Sequence, residues 1–467
     1  MAEAGRWKPY TQRQGQVLPA FVEDALAPGD PVFFISDAVD ALELTPLEQR
    51  YAILGEHASS PQLLVKLWLY AATQGVYSGR EIARRLRRDL AFRYLAGDGP
   101  VPDFRTINRF RVRHRADCAW VLRETVRLAR AAGLAQLGVV TIDGTKVRAN
   151  ACMDANRSYE QIAKEILEEA RRVDEAEDAL YGEKRGDELP EQLTTEAGRR
   201  AWLREAKRRL EQKRAEEARP VPRSRPKRLR ESKRRLQEEH LFEARANEAY
   251  ETYRRGRMRD GRRFSRPPDP CEPPETPAGK INTTDPDSRV VKTAGQPAIQ
   301  GYNAQATVND KHIVIAAEVT VDSPDFGHLE PMVNATEREL EKLGAAPPQV
   351  VLADAGYWHK RQMESIVSRG TQVLIPPDSG LRKGARPGWD KGLYAFMRRV
   401  LATEHGAELY RKRQTTVEPV FAQMKFNRRL DRFMRRGRAP CRSEWRLIAA
   451  THNLLKLYSR QTALAVA

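Results

Sequence analysis

Three carboxylates stand out from the chain by their surroundings. Asp143 interrupts the apolar run VVTIDG, Asp354 follows VVLA, and Glu418 lies in RKRQTTVEPVFAQMK among basic and apolar neighbours. A carboxylate within or just past a buried strand is costly to leave unpaired, so each needs a partner. Taken singly, each has an ordinary reading. Asp143 with Gly144, and Asp354 with Gly356, are turn-forming pairs, and Glu418 is a surface ion-pair partner for Arg411 or Lys425. Taken together at the edge of one sheet, they form a hard-oxygen site suited to Mg²⁺ or Mn²⁺. Two such ions about 4 Å apart are suited to in-line displacement at a phosphodiester.

The elements that must position these acids follow from the pattern. LGVVTIDGTKVRAN reads as a β-branched strand bounded by Gly138 and Gly144. YNAQATVN (302–309) and HIVIAAEVT (312–320), joined by Asp310 and Lys311, read as a hairpin. A helix over 328–343, the strand VVLADAGY (350–357), a helix near 360–369 and the strand TQVLIP (371–376) follow, and 391–435 and 443–460 read as helices. Without the charged stretch at 155–265 the order is strand, hairpin, helix, strand, helix, strand, helix, with one acid on each of the first strand, the later strand and the last helix. Asp322 and Asp325 read as turn caps, His359 as a polar helix start, and Asn150 as a strand-end turn residue. Trp358 and Trp389 read as core or surface packing aromatics, with base stacking as the alternative.

The chain has 467 residues and a formal net charge of +18. Its length suggests two to four domains. About 14 basic residues face about 6 acidic ones over 80–130, about 23 face 11 over 201–266, and about 20 face 6 over 381–460. Three separated basic zones imply a polyanionic partner, although any one of them reads equally as a solvated helix face. No apolar stretch approaches the ~20 residues of a membrane span. The N-terminal residues lack an apolar signal core, and the four scattered cysteines form no CxxC pair, so a cytosolic protein is expected. Short amphipathic segments over 60–115 place Ile82, Leu86 and Leu90 on one face. Arg84, Arg88, Arg109 and Arg113 are the candidate DNA contacts of a helix-turn-helix-like module.

Residues 155–266 read as charged helices broken by Pro220, Pro222 and Pro226, and PPDPCEPPETPAG reads as an extended linker. The expected organisation is a helical N-terminal domain (1–132), the first core strand (133–154), a charged helical insert (155–266), a Pro-rich linker and approach to the core (267–300), and the remaining core with basic C-terminal helices (301–467).

These motifs resemble the DDE transposases of bacterial insertion sequences. IDGTKVRANA is similar to that group's first-Asp motif and LADAGYWH to its second. Tyr410, Arg413, Glu418 and Lys425 resemble its Tyr-Arg-Glu-Lys signature. Glu418 and Lys425 keep six intervening residues, whereas four rather than three separate Arg413 from Glu418. The likeness covers roughly 40–130, with an InsH-like N-terminal domain, then 137–155 and 280–460. It implies an α/β fold: an RNase H-like (retroviral integrase) mixed five-stranded sheet flanked by helices, interrupted by the insert.

The resemblance further implies that Asp143, Asp354 and Glu418 are catalytic and hold two Mg²⁺ (or Mn²⁺) ions. The implied reaction is cleavage at the ends of an insertion element and strand transfer by 3′-OH transesterification. Tyr410, Arg413, Lys425, Arg428 and Arg429 are expected on DNA, with Arg432, Arg435 and Arg436 continuing the same surface. The implied partners are double-stranded terminal inverted repeats and target DNA, and a second copy in a homodimer or higher synaptic complex, at a bacterial nucleoid and with no membrane. The alternatives are a non-catalytic DNA-binding descendant and an RNase H-like nuclease without strand transfer.

Overall fold

The computed structural model describes residues 21–51, 58–165, 221–222, 224–255, 279–293, 296–378 and 392–466. Trp389, most of the charged insert and the Pro-rich stretch lie outside the described residues. The chain divides into two compact units, Met1–Phe110 and Arg111–Ala467.

The first unit is helical: α1 (Pro31–Asp40), α2 (Thr45–Glu48), α3 (Pro61–Thr73), α4 (Gly79–Arg85), α5 (Leu90–Ala96) and α6 (Phe104–Arg113), whose end crosses into the second unit. Local chemistry sets the boundaries. Asp30 accepts a hydrogen bond from the Val32 N–H at 2.8 Å, and Pro31 occupies the first turn of α1, where its missing N–H costs nothing. Asp89 and Asp103 cap α5 and α6 in the same way. The core is built from Ile35, Val39, Leu64, Leu67, Ile82 and Phe92, all nearly inaccessible, and the Trp68 indole N–H donates to the Ile107 carbonyl. Gly79 lets α4 approach α6 closely, since a Cβ there would lie 2.6 Å from Asn108 Oδ1. Arg84, Arg88 and Arg109 stay exposed, and Arg84 pairs with Glu81 at 2.5 Å.

The second unit opens with α7 (Cys118–Ala131). The sequence placed this helix with the N-terminal domain, but its apolar face packs on α13 (Arg438–Val466) and on β6 (Val314–Thr320). The division therefore falls at Phe110/Arg111 rather than at 132. Asn453 of α13 fixes this packing, donating to Thr125 Oγ1 at 3.0 Å and to the Val314 carbonyl at 2.9 Å.

The central sheet is mixed. β5 (Gln296–Asn309) pairs antiparallel with β1 (Val139–Arg148) along one edge, and with β4 (Arg289–Thr293) and then β6 along the other. Beyond β1 lie β7 (Val350–Leu352) and β8 (Gln372–Leu374), both parallel. Helices α9 (Leu329–Lys342), α10 (Lys360–Ser368), α11 (Gly392–Ala402) and α12 (Glu404–Ala422) flank it. The sheet has six strands rather than five, because 289–293, assigned from sequence to the linker, adds β4.

β2 (Asn156–Ser158) and β3 (Lys280–Asn282) form a separate ribbon that carries α8 (Arg225–Arg255). Leu229 and Leu236 of α8 bury against Ile162 and Ile281. Arg235, almost fully buried, binds Glu231 at 2.8 Å and Asp287, which also accepts the Arg438 N–H at 2.7 Å. The described part of the insert is thus fastened to the core by a largely buried ion pair as well as by apolar contact.

Beside that pair, Asp285 is fully buried, accepting from the Tyr302 hydroxyl at 2.8 Å and from the N–H of Gly437 at 3.0 Å, a residue whose φ of 89° suits glycine. Burial, reinforced by the neighbouring Asp287 charge, pushes the Asp285 carboxyl up to about 7. The folded state therefore holds a proton that the unfolded chain releases near pH 4. The stability contributed by this group is full below that pH and is lost as pH rises to about 7. In Asp285→Asn the amide still accepts from Gly437 and donates to Tyr302. The variant's Tm relative to the native chain is expected to be higher at pH 8 than at pH 5; a difference that stays constant between these pH values in thermal melts contradicts the assignment.

Candidate active site

Register brings the two aspartates together. Thr141 on β1 pairs with Leu352 on the parallel strand β7. Two residues further on, Asp143 and Asp354 point to the same side of neighbouring chains, since side chains alternate with a period of two and strands lie about 4.8 Å apart. Asp143 Oδ1 accepts from the Gly144 N–H at 2.7 Å, and Asp354 Oδ1 caps a short 3₁₀ turn, Ala355–Tyr357, through the Gly356 N–H at 2.9 Å.

Arg413 of α12 approaches them, with Nη1 3.1 Å from Asp143 Oδ2 and Nη2 3.6 Å from Glu418 Oε1. Its side chain is 11% exposed and Asp143's 16%, whereas Glu418's is 58% exposed. One guanidinium thus bridges two of the three acids. The irregular signature spacing is accommodated on the helix, and Arg411 is left in solvent. Tyr410 packs its ring against the core and against Arg413, whose guanidinium carbon lies 6.0 Å from the ring centroid. Lys425 donates to Thr145 Oγ1 and to the Lys146 carbonyl, both at 3.1 Å, which fixes it beside β1 two residues past Asp143.

The electrostatics follow from this geometry. Burial, then the Asp354 charge, pushes Asp143 up to about 7 despite the Gly144 N–H and Arg413. Burial, then Asp325, raises Asp354 as well. For Arg413, burial works against the charge, but Asp143, Tyr410, Asp354 and Glu418 outweigh it and the pKa rises. Burial and the nearby Lys146 lower Lys425.

A fourth acid belongs to this neighbourhood. Asp325, read from sequence as a cap, accepts from Asn303 Nδ2 and Gln305 Nε2, both at 2.7 Å, and from Lys146 Nζ at 3.3 Å. Gln305 in turn accepts from the buried Tyr357 hydroxyl. This network crosses over Gly144, where a Cβ would lie 2.3 Å from Gln305 Nε2 and 2.6 Å from Asp325 Oδ1. The glycine after Asp143 is therefore required by close approach. The available signal was the alternation Asn303, Gln305, Thr307, Asn309 in an otherwise apolar strand, which puts a polar row on one buried face. Asp322 pairs with His328 at 3.0 Å.

Other expected contacts fall elsewhere. Arg428 is 1% exposed, donating to Gln423 Oε1 and to the Ile448 carbonyl of α13, so it is an internal strut and not a DNA contact. Arg435 is likewise turned inward, onto the Arg111 carbonyl and Ser443 Oγ. The helix expected through 435 ends in a π turn, Gln423–Asn427, after which Arg429 adopts a left-handed φ of 54° and the chain runs extended. Arg429 and Arg113 are exposed. Trp358 stacks on Tyr394 with centroids 4.7 Å apart, and His359 caps α10.

Among the described residues no group of three or more histidine, cysteine or acidic side chains stands ready to hold a metal ion. The donor chemistry of Asp143 and Asp354 nonetheless fits a hard divalent cation. Two half-buried carboxylates repel one another there, and a cation beside both would favour their charged forms.

Two segments of the chain match known families: residues 21–113 match a transposase domain (DUF772), and residues 386–458 a transposase DDE domain. Together the two matches support an insertion-sequence DDE transposase. The DDE match contains Tyr410, Arg413, Glu418 and Lys425, and the other spans most of the helical first unit. Such transposases act on DNA and normally use a divalent metal. No curated protein and no solved structure matches the chain. Among the described residues no helix is long and apolar enough to cross a membrane.

Proposed function

We propose that this transposase cleaves DNA at the ends of an insertion element and joins the freed 3′-OH to target DNA, on an RNase H-like core. The observation that carries the reading is the register of β1 and β7, which sets Asp143 beside Asp354 with Arg413 reaching from α12 to Asp143 and Glu418. Asp143 and Asp354, completed by Glu418, are the residues that would hold Mg²⁺ or Mn²⁺. Bound there, such ions would polarise the scissile phosphate and lower the pKa of the attacking hydroxyl.

The chain's own groups do the rest. Gly144 and Gly356 N–H groups aim the two carboxylates. Arg413 neutralises the acids before DNA arrives and is placed to contact a phosphate oxygen afterwards. Lys425, held on β1, offers a second cation to the backbone, and Tyr410 packs beneath Arg413. Asp325 holds Lys146, Asn303 and Gln305 in place beside them. In the helical first unit, Arg84, Arg88 and Arg109 are proposed to grip the element's ends, and paired ends call for a symmetric assembly of two or more copies.

The test is incubation of the purified full chain with labelled DNA bearing the inverted repeats that flank its gene, with Mg²⁺ or with EDTA. Mg²⁺-dependent cleavage with a joined product is the expected result. Cleavage without joining would instead indicate a nuclease, and binding alone a non-catalytic DNA-binding protein.

A further inference from the structure

Past the active-site helix the chain builds a rigid strap with an unusual outer face. Residues 428–437 lie along the end of β1: the Arg148 N–H donates to the Asp431 carbonyl at 3.1 Å, and the Phe433 N–H donates to the Arg148 carbonyl at 2.9 Å. The Asn150 amide holds the Met434 carbonyl at 2.9 Å, and Glu444 accepts the Met434 and Arg435 N–H groups. Leu430 and Phe433 are fully buried beneath it.

On the outer face stand Arg429, Arg432, Met434 and Arg436, and just before them Phe426 is 79% exposed. Neither Arg429 nor Arg432 forms an ion pair with a described residue. A lone exposed apolar side chain needs no explanation. Phe426 is not of that kind. It sits in a π turn, a distortion frequent at functional sites. It directly follows Lys425, which is fixed to β1 two residues past Asp143. In the chain it is followed within ten residues by a second exposed apolar residue, Met434 (41%), and by the exposed Arg429, Arg432 and Arg436.

Exposed aromatic and methionine side chains set among arginines match one ligand chemistry: a nucleic acid strand whose phosphates meet the cations while a base lies on the ring. We propose that Phe426 is a base-stacking residue for DNA left unpaired beside the cut, with Arg429, Arg432 and Arg436 holding its phosphates. The proposal rests on the DNA-acting reading above and adds a contact within it.

The test measures fluorescence anisotropy of the full chain in EDTA with two labelled 30-bp duplexes, one blunt and one carrying a four-nucleotide single-stranded extension, across a salt series. The native chain is expected to prefer the extended duplex. Phe426→Ala should weaken binding to it by roughly 5- to 100-fold, the effect of losing one stacked base, with an unchanged slope of log affinity against log salt. Phe426→Trp should retain binding, whereas Arg432→Ala should lower the salt slope. Unchanged affinity in Phe426→Ala overturns the proposal, as does equal loss in Phe426→Trp. A change of mass in light scattering without a change in DNA affinity overturns it too, assigning Phe426 to contact between copies. If the native chain binds neither duplex, the DNA-acting reading itself fails.

Discussion

Asp143→Asn is expected to lower the rate of DNA cleavage about a thousandfold or more while leaving the protein folded and able to bind DNA. The size follows from the chemistry. Stabilisation of charge at a scissile phosphate by bound metal amounts to several kcal/mol, and each 1.36 kcal/mol is tenfold in rate. An amide keeps the shape and the hydrogen bond from Gly144 but loses the charge that holds a cation. Folding should suffer little, because the charged form of Asp143 is penalised by burial and by Asp354, while Arg413, losing that counter-charge, keeps Glu418 at 3.6 Å and the amide oxygen as an acceptor. Tm at pH 8 should therefore hold or rise. Loss of activity accompanied by a large fall in Tm would point to a scaffold role instead. The readouts are single-turnover cleavage, thermal melting and DNA binding in EDTA on the same preparation.

The second large effect concerns the helical insert. Arg235→Ala strips the Asp287 carboxylate, whose side chain is 19% exposed, of its guanidinium, leaving the Arg438 N–H as its hydrogen-bond partner among the described residues. Breaking a fully buried pair from one side costs about 3–5 kcal/mol, and the partial exposure of Asp287 puts the expected loss near the lower end, about 3 kcal/mol. The loss should appear as a lower urea midpoint, with faster amide exchange over 225–245, where α8 rests on Ile162 and Ile281 through Leu229 and Leu236. Arg234→Ala is the control. That side chain is 42% exposed and, among the described residues, pairs only along its own helix, so its removal should cost about 0.5 kcal/mol or less. Equal effects of the two substitutions would mean that the insert is not anchored through Arg235.

Much of the site's framework could be read from residue order, because its signals are local. An acid after VVLA and another inside VVTIDG sit where apolar runs meet turn-forming glycines, and parallel pairing of the two strands aligns them. The hairpin over 302–320 was similarly plain from its composition. What escaped depends on partners distant in the chain. Arg428 looks like its neighbour Arg429, yet a carbonyl on α13, twenty residues away, and Gln423 take it inside. Asp325 carries the local marks of a turn residue, and only the polar row on β5 gives it its partners. Helix α7 is amphipathic whichever domain owns it, so its pattern could not say that α13 and β6 cover its apolar face. Residues 280–293 form strands of five residues or fewer next to a Pro-rich stretch, too short for alternation to declare itself.

Asp143, Asp354 and Glu418 are proposed to act on one phosphodiester as a set, although Glu418 is largely exposed and is linked to Asp143 through Arg413. The most direct measurement compares the joined-product rate of the native chain with those of Asp143→Asn, Asp354→Asn and Glu418→Gln, on inverted-repeat DNA in Mg²⁺ at matched DNA occupancy. Loss of about a thousandfold or more in each of the three is the predicted result. A joined product persisting within about tenfold of the native rate in any one of them would remove that acid from the centre and contradict the account.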